Sequence, residues 1–197
     1  MQMAEIELKF PVLLLAEFER SLDVNGFHLD TPRTFEQNTL YDTPERTLRE
    51  RGELLRLRRY GQKYVLTHKR HPDREDLAAR YKVRIETESE VSDHGALEEI
   101  LKHLGYQPSF RYEKFRSEYS HPQAPGAHLV LDETPIGIYA ELEGPTDWID
   151  ETLVTLQIDP ATCLTASYGK LFLAWKERTS SGASNLTFDE ISTPLFA

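Results

Sequence analysis

Apolar and charged residues alternate with a period of two along much of this chain, and each alternating stretch predicts a β-strand. The strands expected from this pattern cover residues 3–10, 39–42, 53–60, 63–69, 81–91, 111–120, 128–133 and 138–143. The last two form a hairpin around Thr134-Pro135-Ile136-Gly137, and Gly52 is the pivot that leads into 53–60. In each strand one face is apolar, as with Ile6 and Leu8, Leu55 and Leu57, or Val83 and Ile85. The other face gathers charge: Glu5, Glu7 and Lys9; Arg56 and Arg58; Thr67 and Lys69; Arg84, Glu86 and Glu88; Lys114 and Arg116; Asp132; Glu141 and Glu143.

Between these strands the apolar spacing changes to that of helices. Pro11 opens a first helix carrying Leu14, Leu15, Phe18 and Leu22 and ending near Gly26. Ser92 or Asp93 caps a second, with Leu97, Ile100, Leu101 and Leu104 on one side and Gly105 as its stop. A third spans about 147–156, and a fourth runs from Asp159-Pro160 through Tyr168, Leu171, Phe172 and Trp175. Residues 71–80 read as an exposed loop, 179–187 as a linker, and the last ten show no partner. Strands in runs with helices segregated from them indicate an α+β fold, or a barrel with flanking helices, built as one domain over 1–178 with a C-terminal tail over 179–197. An open sheet turns its charged face to water, whereas a closed barrel can line its bore with it. The periodicity leaves both arrangements open.

Composition narrows the function classes. The 197 residues suffice for a sizeable core, and 39% hydrophobic with 28% charged residues fits a globular protein. A net charge of −10 argues against a nucleic-acid partner held by the overall field, while leaving room for a local basic pocket. No apolar run is long enough for a membrane span, and no secretory leader is visible. Cys163 is the single cysteine, so no intrachain disulfide forms and a cytoplasmic location is the simplest expectation. P-loop, dinucleotide-fingerprint, nucleophile-elbow and HExxH patterns are absent.

The charged faces carry the candidate chemistry. Carboxylates two apart on one strand face, about 7 Å from each other, suit a hard cation such as Mg²⁺ or Mn²⁺. Glu5/Glu7 and Glu141/Glu143 supply two such pairs at opposite ends of the chain. Arginine offers a planar fork of donors that fits phosphate oxygens, and lysine acts as a point charge. Edge protection and cross-strand ion pairing account for the same residues on an open sheet.

In order along the chain these segments resemble the CYTH family, the triphosphate tunnel metalloenzymes. EIELKF is similar to the family's ExExK signature, TLYDTPERTLRERGELLRLRR to its second and third strands, and VLTHKR to its LTxK strand. RIETESE, EKFRSEY, LVLDETPIGIYAELEGP and SYGKLF resemble the segments that follow, so the likeness runs from about 3 to 175. It implies a closed antiparallel eight-stranded barrel with charges inward and flanking helices. It further implies that Glu5, Glu7, Glu141 and Glu143 hold Mg²⁺ or Mn²⁺, assisted by Asp132 and Glu88, in a catalytic centre for triphosphate hydrolysis by metal-activated water. Lys9, Arg56, Arg58, Lys69, Arg84, Lys114 and Arg116 would grip a small-molecule triphosphate, with Lys170 at the tunnel's end. Gly169 departs from the larger residue usual after the family's SY pair. The expected reaction is hydrolysis of tripolyphosphate or an organic triphosphate by a monomer or homodimer without nucleic-acid or membrane partners. The alternatives are a class IV adenylyl cyclase, making cyclic AMP and pyrophosphate from ATP, and a non-catalytic polyphosphate- or nucleotide-binding module.

Overall fold

The computed structural model describes residues 2–72 and 80–191, and within them eight antiparallel strands close into one barrel. The strands are β1 (Gln2–Val12), β2 (His28–Asp42), β3 (Leu54–Tyr60), β4 (Lys63–Arg70), β5 (Lys82–Glu90), β6 (Gln107–Ser120), β7 (His128–Thr134) and β8 (Gly137–Glu143). The helices are α1 (Leu15–Val24), α2 (Thr47–Glu50), α3 (His94–His103), α4 (Thr146–Thr155) and α5 (Tyr168–Thr179). Around the barrel the order is β1-β5-β4-β3-β2-β6-β7-β8. The fold is therefore the α+β closed barrel, and the open-sheet alternative falls. The exposed loop expected over 71–80 lies mostly at 73–79, outside the described residues, as does the end of the chain at 192–197.

Closure settles which way the charges point. Leu8, Phe10 and Val12 of β1, Leu129 and Leu131 of β7, and Ile138, Ala140 and Leu142 of β8 face outward into a core under α1 and α4. Leu22, Ile149 and Leu153 complete that core from the helices. A second cover is α3, whose Leu101 and Leu97 lie over Tyr41, Leu57 and Leu55. Each large apolar side chain so buried contributes about 1.5–3 kcal/mol. The opposite face of every strand is left to the bore, and there the buried residues are Glu7, Lys9, Glu36, Asn38, Arg56, Thr67, Lys114, Arg116, Asp132 and Glu141.

Several elements differ from the sequence expectation. Pro11 sits inside β1, opposite Tyr139, and α1 starts only at Leu15. The Lys9 amide points away from β8, to the Leu164 carbonyl, so Pro11, two residues on, faces a side where β5 has already ended. Its missing N–H costs no ladder bond there. Strand β2 begins at His28, well before Thr39, because register shifts at Leu29/Thr31 and Thr31/Thr34 break the period of two. The helix expected from Asp159 splits: Asp159 caps a 3₁₀ turn over Pro160–Thr162, and Ser167 caps α5 by accepting from the Lys170 amide. The predicted pivot is real, since Gly52 has φ +69° and a Cβ there would lie 2.7 Å from the His71 ring.

The stretch read as a linker over 179–187, and the tail after it as far as Ile191, also have partners. Leu186 accepts from the Glu113 amide and donates to the Arg111 carbonyl, on the part of β6 that outruns β7. With Ile191 it is buried against Tyr112, Tyr168 and Phe172, where Trp175 also packs. The segment thereby fastens α5 across one end of the bore.

Candidate active site and metal centre

The bore encloses a cavity of about 360 Å³ whose walls carry both signs of charge. Glu5 and Glu7 enter from β1 and Glu143 from β8, and each offers an oxygen within 4.8 Å of the others. These three form the one carboxylate cluster among the described residues with metal-ligand spacing. Desolvation, and then the neighbouring charges of Glu5, Glu141 and Glu7, push the Glu143 carboxyl up to about 8. Unbalanced negative charge of that kind is what a divalent cation neutralises, and three carboxylates are hard oxygen donors of the class Mg²⁺ and Mn²⁺ take. The donor set fits such an ion.

The other nominated acids stand outside the cluster. Glu141 is committed to Lys9 and, through Oε2, to Arg116 Nη2 at 3.0 Å. Asp132 receives Lys114 Nζ at 2.8 Å, a two-pronged contact from Arg116 at 2.7 Å, and the Tyr168 hydroxyl at 2.7 Å. With no exposed surface and both oxygens taken, Asp132 serves to hold the cations. Glu88 lies half outside the bore, accepting from Thr67 at 2.7 Å and facing Arg56 at 3.6 Å. So of the six acids expected to bind metal, the structure assembles Glu5, Glu7 and Glu143.

The cations are better gathered. Lys9, Arg56, Arg58, Lys69, Lys114 and Arg116 all line the cavity. Lys69 contacts Glu86 and donates to Glu5 at 3.0 Å. Desolvation and the hydrogen bond with Glu5 raise Glu86 to about 7, while Glu5, despite its own burial, is drawn down to about 2 by Glu86 and Lys69. Arg58 makes no ion pair among the described residues, and its buried Nε has no hydrogen-bond partner. It is the guanidinium most available to an incoming anion.

Two expected phosphate ligands are corrected. Arg84 does not line the cavity; it turns to the His71 Nδ1 at 2.8 Å and to the Val83 carbonyl. Lys170 is exposed on α5, and it is Tyr168, the first residue after the Ser167 cap, that enters the bore instead. The Tyr168 ring lies 4.2 Å from Lys9 Nζ and 5.1 Å from Lys114 Nζ and stacks on Tyr112. Leu40, Leu54, Phe110 and Tyr112 line the same cavity beside Tyr168 and Gly169, an aromatic end closed over by α5.

Sequence reasoning passed over Lys82, Glu36 and Asn38. Lys82 lines the cavity and donates to Glu7 at 2.5 Å. It shares a strand face with Arg84, Glu86 and Glu88, so its parity could have found it. Glu36 and Asn38 precede the recognisable part of β2 and gave no periodic signal.

A family profile for the CYTH domain matches residues 3–153. Comparison by sequence with curated proteins returned no match. Among solved structures, a candidate adenylate cyclase from Vibrio parahaemolyticus is 22% identical, with a TM-score of 0.70 over 86% of this chain and 97% of its own. A candidate adenylyl cyclase from Hippeastrum, described as having a dominant triphosphatase activity, is 21% identical with a TM-score of 0.59, over 89% of this chain and 96% of its own. A chain of the Schizosaccharomyces pombe Mediator head module reaches 0.53 at 15% identity, over 93% and 98%. At these identities the likeness shows the fold alone.

Proposed function

This chain belongs to the CYTH family, and from that premise we propose that it hydrolyses a triphosphate inside the barrel. The observation that carries the reading is the Glu5–Glu7–Glu143 cluster standing in the same cavity as Arg56, Arg58, Lys114 and Arg116. Glu5, Glu7 and Glu143 would hold Mg²⁺ or Mn²⁺. When bound, such an ion supplies Lewis-acid polarisation of phosphate oxygens and lowers the pKa of water. Arg58 and Arg56 of β3 and Lys114 and Arg116 of β6, the two strands that flank β2, bind the phosphate chain together. Lys69 and Lys82, each already beside a carboxylate of the cluster, hold the terminal phosphate near it. Phosphoryl transfer to water asks the protein mainly for this positioning and charge stabilisation, and no side-chain nucleophile is needed.

The aromatic end formed by Leu40, Leu54, Phe110 and Tyr112 supports a second reading, a cyclase that seats a nucleoside there. Against it, Phe110 and Tyr112 already stack on each other, Tyr112 stacks on Tyr168, and Phe110 packs at a tilt on Phe172 of α5. A base entering that end has to displace the helix. A binding module without turnover is the third reading, and it has no use for the carboxylate cluster.

Purified protein given ATP and tripolyphosphate together with Mg²⁺, followed by ³¹P NMR, separates the three. Orthophosphate growing as tripolyphosphate falls is the expected result. Pyrophosphate and a cyclic monophosphate arising from ATP alone would overturn it in favour of the cyclase, and line-broadening without turnover in favour of the binding module.

A further inference from the structure

Behind the cations, out of contact with the cavity, lies a glutamate that the proposed reaction does not use. Glu36 has no exposed surface and, although on the bore-facing side of β2, it does not line the cavity. One of its oxygens accepts from the Asn38 amide at 2.8 Å, and the other has no hydrogen-bond partner. Its nearest cation, Lys114 Nζ, is 3.4 Å away. Burial alone would raise this carboxyl, yet Lys114, Arg116, Arg58 and Arg56 overcome it and bring it down to about 2.

Asp132 makes the useful contrast. It takes short hydrogen bonds on both oxygens and fixes where Lys114 and Arg116 stand. Glu36 fixes little by contact, since an ionised oxygen is left orphaned beside a long ion pair. Its ionised form is held by the field of the surrounding cations more than by contacts, and a neutral glutamine would keep the shape. What glutamine would not keep is the field. A buried charge a few ångströms from a binding site acts on everything in it, because the interior screens weakly.

We propose that Glu36 is a buried counter-charge which acts through the phosphate-binding cations to limit the tunnel's affinity for polyanions, so that product leaves. It is a positioning residue in the electrostatic sense, and the inference rests on the phosphate-binding reading above. Asn38, also without exposed surface, donates to it and keeps the layer at one negative charge instead of two.

The test is calorimetric titration of tripolyphosphate and of orthophosphate, with EDTA present so that nothing turns over, on wild type, Glu36→Gln and Asn38→Asp. Glu36→Gln should bind both anions about tenfold or more tightly, the scale expected of one charge at an effective dielectric near 20. With Mg²⁺ the same variant should show lower KM, lower kcat and stronger inhibition by orthophosphate. Asn38→Asp should shift every quantity the other way, and Glu36→Asp should restore wild-type affinity. A folded Glu36→Gln that binds equally or more weakly overturns the inference. Should that variant fail to fold, unchanged or tighter binding by Asn38→Asp overturns it instead. A wild type that binds no tripolyphosphate removes the phosphate reading and this inference with it, an outcome distinct from the other two.

Discussion

Glu7 and Asp132 are both buried acids in one bore, and they fail differently when neutralised. Glu7→Gln keeps the volume and loses one of three oxygens that gather within 4.8 Å. Its expected effect is a fall in kcat of roughly a hundredfold or more, as for losing one preorganised electrostatic contact, with melting temperature nearly kept. Full activity in that variant would remove the metal assignment. The added thermal stabilisation given by Mg²⁺ should vanish in parallel. Asp132→Asn instead strands Lys114 and Arg116, and denaturant melts should show a loss of about 3–5 kcal/mol. Arg58→Ala should raise KM for tripolyphosphate and move the melt less than Asp132→Asn does, since Arg58 makes no ion pair among the described residues. Unchanged kinetics there would show that substrate does not reach this guanidinium. Legibility in the sequence follows the same division. The Glu5/Glu7 pair, the Arg56/Arg58 pair and the Lys114/Arg116 pair could be read because strand parity places such residues on one face. Which acids keep free oxygens could not: the Lys9–Glu141 contact joins strands 132 residues apart, and the Arg116–Asp132 contact depends on the register between β6 and β7.

At the level of elements, the misread pieces are those whose conformation is set from outside. Pro11 is tolerated in β1 because the neighbouring strand has ended, and no local pattern announces that. The segment after α5 looks polar and loose, with Leu186 its main buried apolar residue, yet it docks on the overhanging edge of β6. Leu186→Ala should cost about 2–5 kcal/mol, the range for truncating a fully buried leucine. The same change should release α5 and make Tyr168 accessible. Faster proteolysis within 168–179, or quenching of Trp175 fluorescence, would register it. A variant as protected as wild type would mean that α5 holds its place unaided.

The whole molecule carries a pH dependence that the bore dictates. Glu36 is held down at about 2 from an ordinary value near 4.5, and Glu141 is likewise held well below it. A carboxyl with a depressed folded-state pKa adds stability above its unfolded pKa and loses it as pH falls through the folded one. Stability should therefore decline between about pH 4.5 and 2, and Glu36 alone should account for about 3 kcal/mol of the loss. Urea melts through this window check the slope, and Glu36→Gln should flatten it. A stability that held constant down to pH 2 would show that these acids are not ionised in the folded barrel.

Closure also sets an order of events during synthesis. The first strand made, β1, has its two edges filled by β5 and β8, so one side waits for residues 82–90 and the other for 137–143. Contacts so distant in sequence make folding slow, and the N-terminal strand stays open-edged while most of the chain emerges. An exposed edge invites pairing with other nascent chains, and charges on a strand discourage it. Glu5, Glu7 and Lys9 thus have an earlier task than any in the finished tunnel: they keep the waiting strand soluble until the barrel can shut.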